Sequence, residues 1–137
     1  MPEEAGDVRH EIILVEMADF ARRREESAAA QRVRDRPVAE WVPEIARMKR
    51  ENNLEGALEL TYECMDAMRR GNLIMWGKPM VNGWVVNAAV ILRKMGDLDT
   101  ERRLLESGLS EYPNDAILLQ RMRKSRELGD RSDRLDR

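Results

Sequence analysis

The stretch that decides the fold is "GWVVNAAVILRKMGDLDTERRLLESGLSEYP", residues 83–113. Its first part, residues 84–92, is almost wholly apolar, which predicts a helix that is buried on most sides. Gly96 stands where a glycine commonly ends a helix. Leucines then recur on one face of a second helical segment, and Pro113 follows its end. The stretch therefore predicts two helices joined by a short turn.

The rest of the 137-residue chain follows the same plan of amphipathic segments and short polar turns. Ala, Leu, Met, Glu and Arg, which favour helices, are abundant, whereas β-branched residues are few and scattered. We therefore expect an all-α fold. The predicted helices are residues 8–34, 38–51, 54–70, 83–95, 99–111 and 115–128.

The pair of helices in residues 83–113 resembles the tetratricopeptide repeat (TPR). The matching positions are Val85, Ala88, Ala89, Leu92, Gly96, Asp97, Leu105, Gly108 and Pro113. Glu101 departs from the pattern, because the family has alanine there. Residues 38–70 match through Trp41, Met48, Ala57 and Cys64. Between Trp41 and Val85 lie about ten residues more than in a regular repeat of about 34, which we assign to an inserted loop at residues 71–82.

The resemblance implies a stack of about 1.5–2.5 antiparallel helical hairpins. This TPR-like domain would span residues 38–130, after a long N-terminal helix within residues 1–37 and before a charged tail, residues 131–137. The first helix of each hairpin lines a concave groove in this family. The groove positions carried over are Val42, Ala46, Lys49, Arg50, Val86, Asn87, Val90, Arg93, Lys94, Gln120, Arg121 and Lys124.

Half of these groove positions are basic and none is acidic, although the formal net charge of the chain is −2. Arginine and lysine would favour carboxylates on a partner. The leading prediction is a non-catalytic scaffold or adaptor that binds an acidic peptide or protein segment. The predicted partner-binding residues are Lys49, Arg50, Asn87, Arg93, Lys94, Arg121 and Lys124. Of the family's best-known peptide clamp, only Asn87 and Arg121 have matching residues.

Two other functions stay open. A nucleic-acid-binding helical scaffold would use the groove cations and a basic run at Arg22, Arg23, Arg24, Arg32 and Arg34, although dedicated nucleic-acid binders usually carry a basic excess. A structural subunit of a homo-oligomer would use the apolar residues of the N-terminal helix. That helix folds back on its own array or pairs in a homodimer.

The residues predicted to contact an oligomer or partner are Ile13, Met17, Phe20 and Trp76. The first three share a helical face. Trp76 falls in the predicted inserted loop, beside other apolar residues, and a soluble protein rarely leaves such a loop exposed. We expect it to tuck over the open end of the array, with a contact patch as the alternative.

The segment "RRGNLIMWGKPM", residues 69–80, has two glycines and a lysine but is not a phosphate-binding loop. Such a loop needs four residues between its glycines and a hydroxyl after the lysine. Here five residues separate Gly71 from Gly77, and Pro79 replaces the hydroxyl. Cys64 is expected to be a buried thiol rather than a nucleophile paired with His10. We expect no catalytic residue, metal site or cofactor.

Cysteine content and hydropathy bear on the compartment. One cysteine cannot form an internal disulfide, so a reducing environment fits best. No apolar run approaches the roughly 20 residues that span a bilayer, and the acidic start "MPEEAGD" is unlike a secretory signal. The chain is predicted to be cytoplasmic, without membrane association.

Overall fold

The computed structural model describes the backbone of residues 2–135 and the side chains of residues 8–135. Within these residues the fold is all-α, as predicted, apart from one minimal hairpin of two strands. The helices are α1 (Pro2–Ala30), α2 (Val38–Arg50), α3 (Leu54–Trp76), α4 (Asn82–Met95), α5 (Leu98–Glu111) and α6 (Ala116–Leu135). The strands β1 (Arg32–Val33) and β2 (Arg36–Pro37) pair antiparallel between α1 and α2.

Each helix from α2 to α5 packs on the next one along the chain, and α1 packs on α3. The buried side chains form two clusters. One lies around α2 and α3 and reaches Ile91 of α4, and the other joins α4, α5 and α6 through residues such as Val85, Leu105 and Leu118. Gly108 allows the close approach in the second cluster, because a Cβ there would lie 3.0 Å from a methyl of Val85.

Short polar turns connect the helices, as the sequence predicts. Asn53 and Asp97 stand just before α3 and α5, and their side chains accept hydrogen bonds from the amides of Gly56 and Thr100 at 3.2 and 3.1 Å. Such caps satisfy amides that have no partner within the helix. Gly96 ends α4 with a φ of 79°, in the left-handed region where glycine is favoured.

The predicted first helix, residues 8–34, is wrong at its end, because α1 stops at Ala30. The chain then turns through Arg34 and Asp35, whose φ angles of 49° and 65° are typical of a two-residue hairpin turn. Val33 is buried there, and its carbonyl accepts a 2.8 Å hydrogen bond from the indole Nε1 of Trp41. Packing against α2 therefore outweighs the local preference for helix.

The predicted loop at residues 71–82 is also wrong, since α3 continues to Trp76 and ends at Gly77 with a φ of 69°. Gly71 is buried inside the helix, where a Cβ would lie 2.3 Å from Cγ of Gln31. The glycine thus serves the close approach of α1 to α3. Only a short segment remains between α3 and α4, and Asn72 holds it by donating a 3.0 Å hydrogen bond to the carbonyl of Pro79.

The sixth helix is longer than predicted. α6 runs through Gly129 to Leu135, so most of the predicted tail, residues 131–137, continues the helix; residues 136–137 lie outside the described residues. Gly129 lies against the side chain of Arg102 in α5. The glycine therefore marks a helix contact and not a helix end.

Candidate functional site

An apolar groove lies between α2 and α4 and opens to solvent. Its central part is a cleft of about 240 Å³. The cleft is lined by Val42, Ile45, Ala46, Lys49, Thr61, Trp84, Asn87 and Ile91. Val42 and Trp84 also line an adjoining cleft of about 470 Å³ that reaches the end of α1. The other residues of this adjoining part are Ala28, Gln31, Arg32, Pro37, Val38, Ala39 and Met68. We call the two parts together the apolar groove.

Cations and no carboxylates line the apolar groove among the described side chains. Lys49 lies at the central part and makes no ion pair within the described residues. Arg32 lies at the adjoining part. Its guanidinium donates a 2.5 Å hydrogen bond to the carbonyl of Asp35 and makes no ion pair among the described residues. An apolar floor bordered by positive charge suits a ligand that is both apolar and acidic.

A second cleft, of about 380 Å³, lies beyond α4 on the surface of α6. It is lined by Arg93, Ile117, Gln120, Arg121, Arg123, Lys124 and Glu127, and we call it the basic cleft. Lys124 Nζ lies 3.8 Å from a carboxylate oxygen of Glu127, both on an exposed surface where such a pair is weak. The lining therefore keeps an excess of positive charge.

Arg93, predicted as a partner-binding residue, is not a free cation of the basic cleft, because its guanidinium is paired within the chain. Its Nη2 and Nε donate to the carboxylate of Glu101 at 2.7 and 3.0 Å, and Nη2 also donates to the carbonyl of Arg121 at 3.1 Å. Glu101 is fully buried. A buried carboxylate needs such a partner. Glu101, which replaces the alanine of the repeat pattern, is thus neutralised by Arg93 of α4.

The charge of Arg121 is offset only in part by the nearby carboxylate of Glu101. Its Nε is buried and has no hydrogen-bond partner among the described residues. Burial lowers the pKa of Arg121, and the neighbouring charge of Arg93 lowers it further. A carboxylate bound in the basic cleft would offset this repulsion.

The other predicted groove residues divide between the two clefts. Lys49 and Asn87 line the apolar groove, and Arg121 and Lys124 line the basic cleft. Arg50 and Lys94 are exposed but line neither. Sequence reasoning missed the contributions of Trp84, Arg32 and Arg123. The apolar run of residues 84–92 predicts that Trp84 is buried in the core. A side chain this large near a helix end can also reach an adjacent groove.

The N-terminal half of α1 projects with its apolar side chains exposed. Ile13, Met17 and Phe20, predicted as contact residues, are exposed by 54%, 62% and 44%. No described part of the chain folds back on them, so the alternative of packing on the same array is wrong for this half of the helix. The remaining exposed apolar residues here are Val8, Ile12, Leu14 and Val15.

Trp76 is exposed by 58% at the end of α3. The expectation that its segment tucks over the open end of the array is therefore wrong. The neighbouring apolar residues differ in burial, since Met75 is buried whereas Leu73 is exposed. The buried side of this helical turn binds α1, and Trp76 points away from it.

The basic run considered for nucleic acid is partly neutralised. The carboxylate of Asp19 accepts a 2.6 Å hydrogen bond from Arg22, and its other oxygen lies 3.1 Å from Nε of Arg23. The hydrogen bond from Arg22 lowers the pKa of Asp19. Arg34 pairs with Glu63 of α3. These arginines therefore offer less free charge than the sequence suggests.

Cys64 is fully buried, as predicted, and burial raises its pKa to about 11. The thiol is thus protonated near neutral pH and poorly nucleophilic. His10 lies on the exposed half of α1. Within the described residues, no three potential ligands cluster to hold a metal ion, and no helix is long and apolar enough to cross a bilayer. Neither a family model, a curated protein nor a solved structure matches the chain.

Proposed function

We propose that the protein is a non-catalytic interaction scaffold that binds an amphipathic, acidic segment of a protein partner. The observation that carries the proposal is the apolar groove, which is open to solvent, bordered by Lys49 and Arg32, and lined by no carboxylate among the described residues. The apolar face of a bound helix would fill the floor between Val42 and Trp84. Its carboxylates would lie near the cations at the border.

The basic cleft gives a longer partner a second contact. Arg121 and Arg123 present guanidinium groups that can bind a carboxylate through two hydrogen bonds, and Lys124 adds a point charge. Both clefts are formed largely on α2, α4 and α6, the helices that the TPR resemblance assigns to the concave face. This agreement supports a TPR-like arrangement as part of the same proposal.

The remaining parts of the proposal concern compartment and chemistry. The one cysteine, Cys64, fits a reducing compartment, so we place the scaffold in the cytoplasm. Nucleic acid is a weaker candidate because the arginines at positions 22, 23 and 34 already contact carboxylates. We retain it as an outcome of the binding experiment below.

The test measures fluorescence anisotropy with three labelled probes. The first is a helical peptide of about 18 residues, roughly five turns, with Leu on one face and Glu on the other. The second has Gln in place of Glu, and the third is a single-stranded RNA of similar length. We expect the acidic peptide to bind more tightly than the Gln peptide, because only its carboxylates meet the groove cations.

Substitutions in the groove should weaken binding of the acidic peptide. Val42→Glu puts a carboxylate on the apolar floor, and Lys49→Glu reverses a border charge. We expect each to raise the dissociation constant at least about tenfold, or about 1.4 kcal/mol. Leu119→Glu is the matched control, since Leu119 is similarly exposed on α6 but lines neither cleft.

Equal binding of the acidic and Gln peptides, or unchanged affinity in both groove variants, would contradict the proposal. Preferential binding of the RNA, with the steep salt dependence typical of phosphate contacts, would replace it with the nucleic-acid alternative. Circular dichroism of each variant confirms that the helices are retained.

A further inference from the structure

One helical turn in the projecting half of α1 is apolar on every side. Four consecutive residues, Ile12 to Val15, are each more than half exposed. Because successive residues on an α-helix are about 100° apart, these four side chains point in four different directions. A helical segment that is apolar all round is normally buried, so residues 12–15 favour contact with another surface.

The two sides of this half differ in charge. Val8, Ile12 and Val15 follow one another at four- and three-residue steps on one face, and Glu11 and Glu16 flank them. We call this the acidic-flanked face. The opposite face carries Ile13, Met17 and Phe20, with Arg9 and Arg24 among its neighbours at helical spacing. The first face carries more carboxylate, because Glu16 borders both faces at helical spacing whereas Glu11 borders only the first.

The apolar groove is the complement of the acidic-flanked face. The groove offers an apolar floor at Val42 and Trp84 with cations at its border, whereas the face offers an apolar line with carboxylates at its border. We propose that the acidic-flanked face of α1 in one copy occupies the apolar groove of a second copy, and that the exchange is reciprocal in a two-fold dimer. The inference rests on the proposed function, because it assigns a ligand to the same groove.

The helix cannot reach the groove of its own chain. α1 is continuous, and its C-terminal half is fixed on α3 by Ser27, whose hydroxyl donates a 2.7 Å hydrogen bond to the carbonyl of Gly71. Arg23 adds a 3.3 Å hydrogen bond to the carbonyl of Met75. From this anchor residues 8–20 extend outward by roughly 20 Å. Returning to the same groove would require breaking the helix, whereas a second copy can supply its groove without distortion.

Two-fold symmetry makes the exchange closed. Each copy contributes one helix face and one groove, so both surfaces of the exchange are covered and neither is left to extend the assembly. The competing arrangement pairs two α1 helices directly through Ile13, Met17 and Phe20. That pairing leaves the acidic-flanked face and the groove uncovered, and it is the principal alternative outcome of the experiment.

The first measurement is the dimer dissociation constant of the full chain by sedimentation equilibrium. Ile12→Asp places a charge in the acidic-flanked face, and Val42→Glu places one in the groove. We expect each to weaken the dimer at least about tenfold. Ile13→Asp, on the opposite face, should change it less than either. A dimer weakened by Ile13→Asp but not by Ile12→Asp would overturn the inference in favour of direct helix pairing, and an entirely monomeric chain would overturn both.

The second measurement mixes the two defective variants in equal amounts. The Val42→Glu copy still has an intact α1, and the Ile12→Asp copy still has an intact groove. One of the two exchange contacts can therefore re-form, and the dimer fraction in the mixture should exceed that of either variant alone. Absence of recovery would overturn the exchange.

The acidic probe peptide separates failure of this inference from failure of the proposed function. If α1 of a second copy fills the groove, the Ile12→Asp variant should bind the probe several-fold more tightly than the unaltered chain, because its groove is vacated. Probe binding without any effect of Val42→Glu on the dimer would overturn the exchange and leave the proposed function standing. Failure of the Ile12→Asp variant to bind the probe would overturn the proposed function as well.

Discussion

At the scale of single residues, the contact between Glu101 and Arg93 decides how the basic surface is used. The sequence predicts Arg93 as a groove cation, but it does not show that a buried carboxylate eight residues later engages it through three hydrogen bonds. The cost of burying Glu101 without that partner is larger than any gain from an exposed cation. Arg93 therefore neutralises a buried carboxylate of the fold, and Arg121 is the cation that remains available to a partner.

We predict that Arg93→Met destabilises the chain by roughly 3–5 kcal/mol, because Glu101 would keep a buried charge with no counter-ion. Glu101→Ala should cost less, since Arg93 is partly exposed and can turn to solvent. The double variant should be more stable than Arg93→Met alone. Urea unfolding followed by circular dichroism measures all three. Equal destabilisation by Arg93→Met and by an exposed control, Arg103→Met, would contradict this account.

At the scale of elements, local patterns predict the existence of the helices better than their ends. Residues 54–70 show the spacing of a helix, and from the sequence alone Gly71 predicts the end of that helix. The glycine is instead required by a contact with Gln31, which is far away in sequence. The same holds for the end of α1, where buried Val33 and Trp41 favour a turn. Long-range packing fixed these bounds, and single-sequence periodicity carries no record of it.

We predict that Gly71→Val weakens the attachment of α1 to α3. A Cβ at this position would meet the Gln31 side chain, and a branched side chain would force the helices apart at a cost of about 1–3 kcal/mol. Gln31→Ala should recover part of that loss by removing the obstructing atoms. Amide hydrogen exchange should rise in residues 23–30 but not in α5. A stability unchanged by Gly71→Val, or no recovery by Gln31→Ala, would show that the contact is not tight.

At the scale of the whole molecule, the two halves of α1 differ in their surroundings. Its C-terminal half belongs to the folded array, through Ser27 and the contacts to α3, whereas its N-terminal half leaves the array and exposes apolar side chains. The sequence predicts the long helix, but not this division; that Ile13, Met17 and Phe20 contact a partner stays a prediction. The division follows from where Ser27, which is buried and hydrogen-bonded to the carbonyl of Gly71, allows close packing on α3.

Two truncations should therefore behave differently. Removing residues 1–21 takes away no buried side chain among those described, so the remaining chain should keep its melting temperature within a few degrees and lose the ability to dimerise. Removing residues 1–34 also deletes buried Ser27 and Val33, and the exposed core of α3 should then cost several kcal/mol and promote aggregation. Thermal unfolding and sedimentation measure both properties on the same samples. A residue 22–137 chain that still formed the full dimer would place the contact outside the projecting helix, and one that failed to fold would place structural contacts within it.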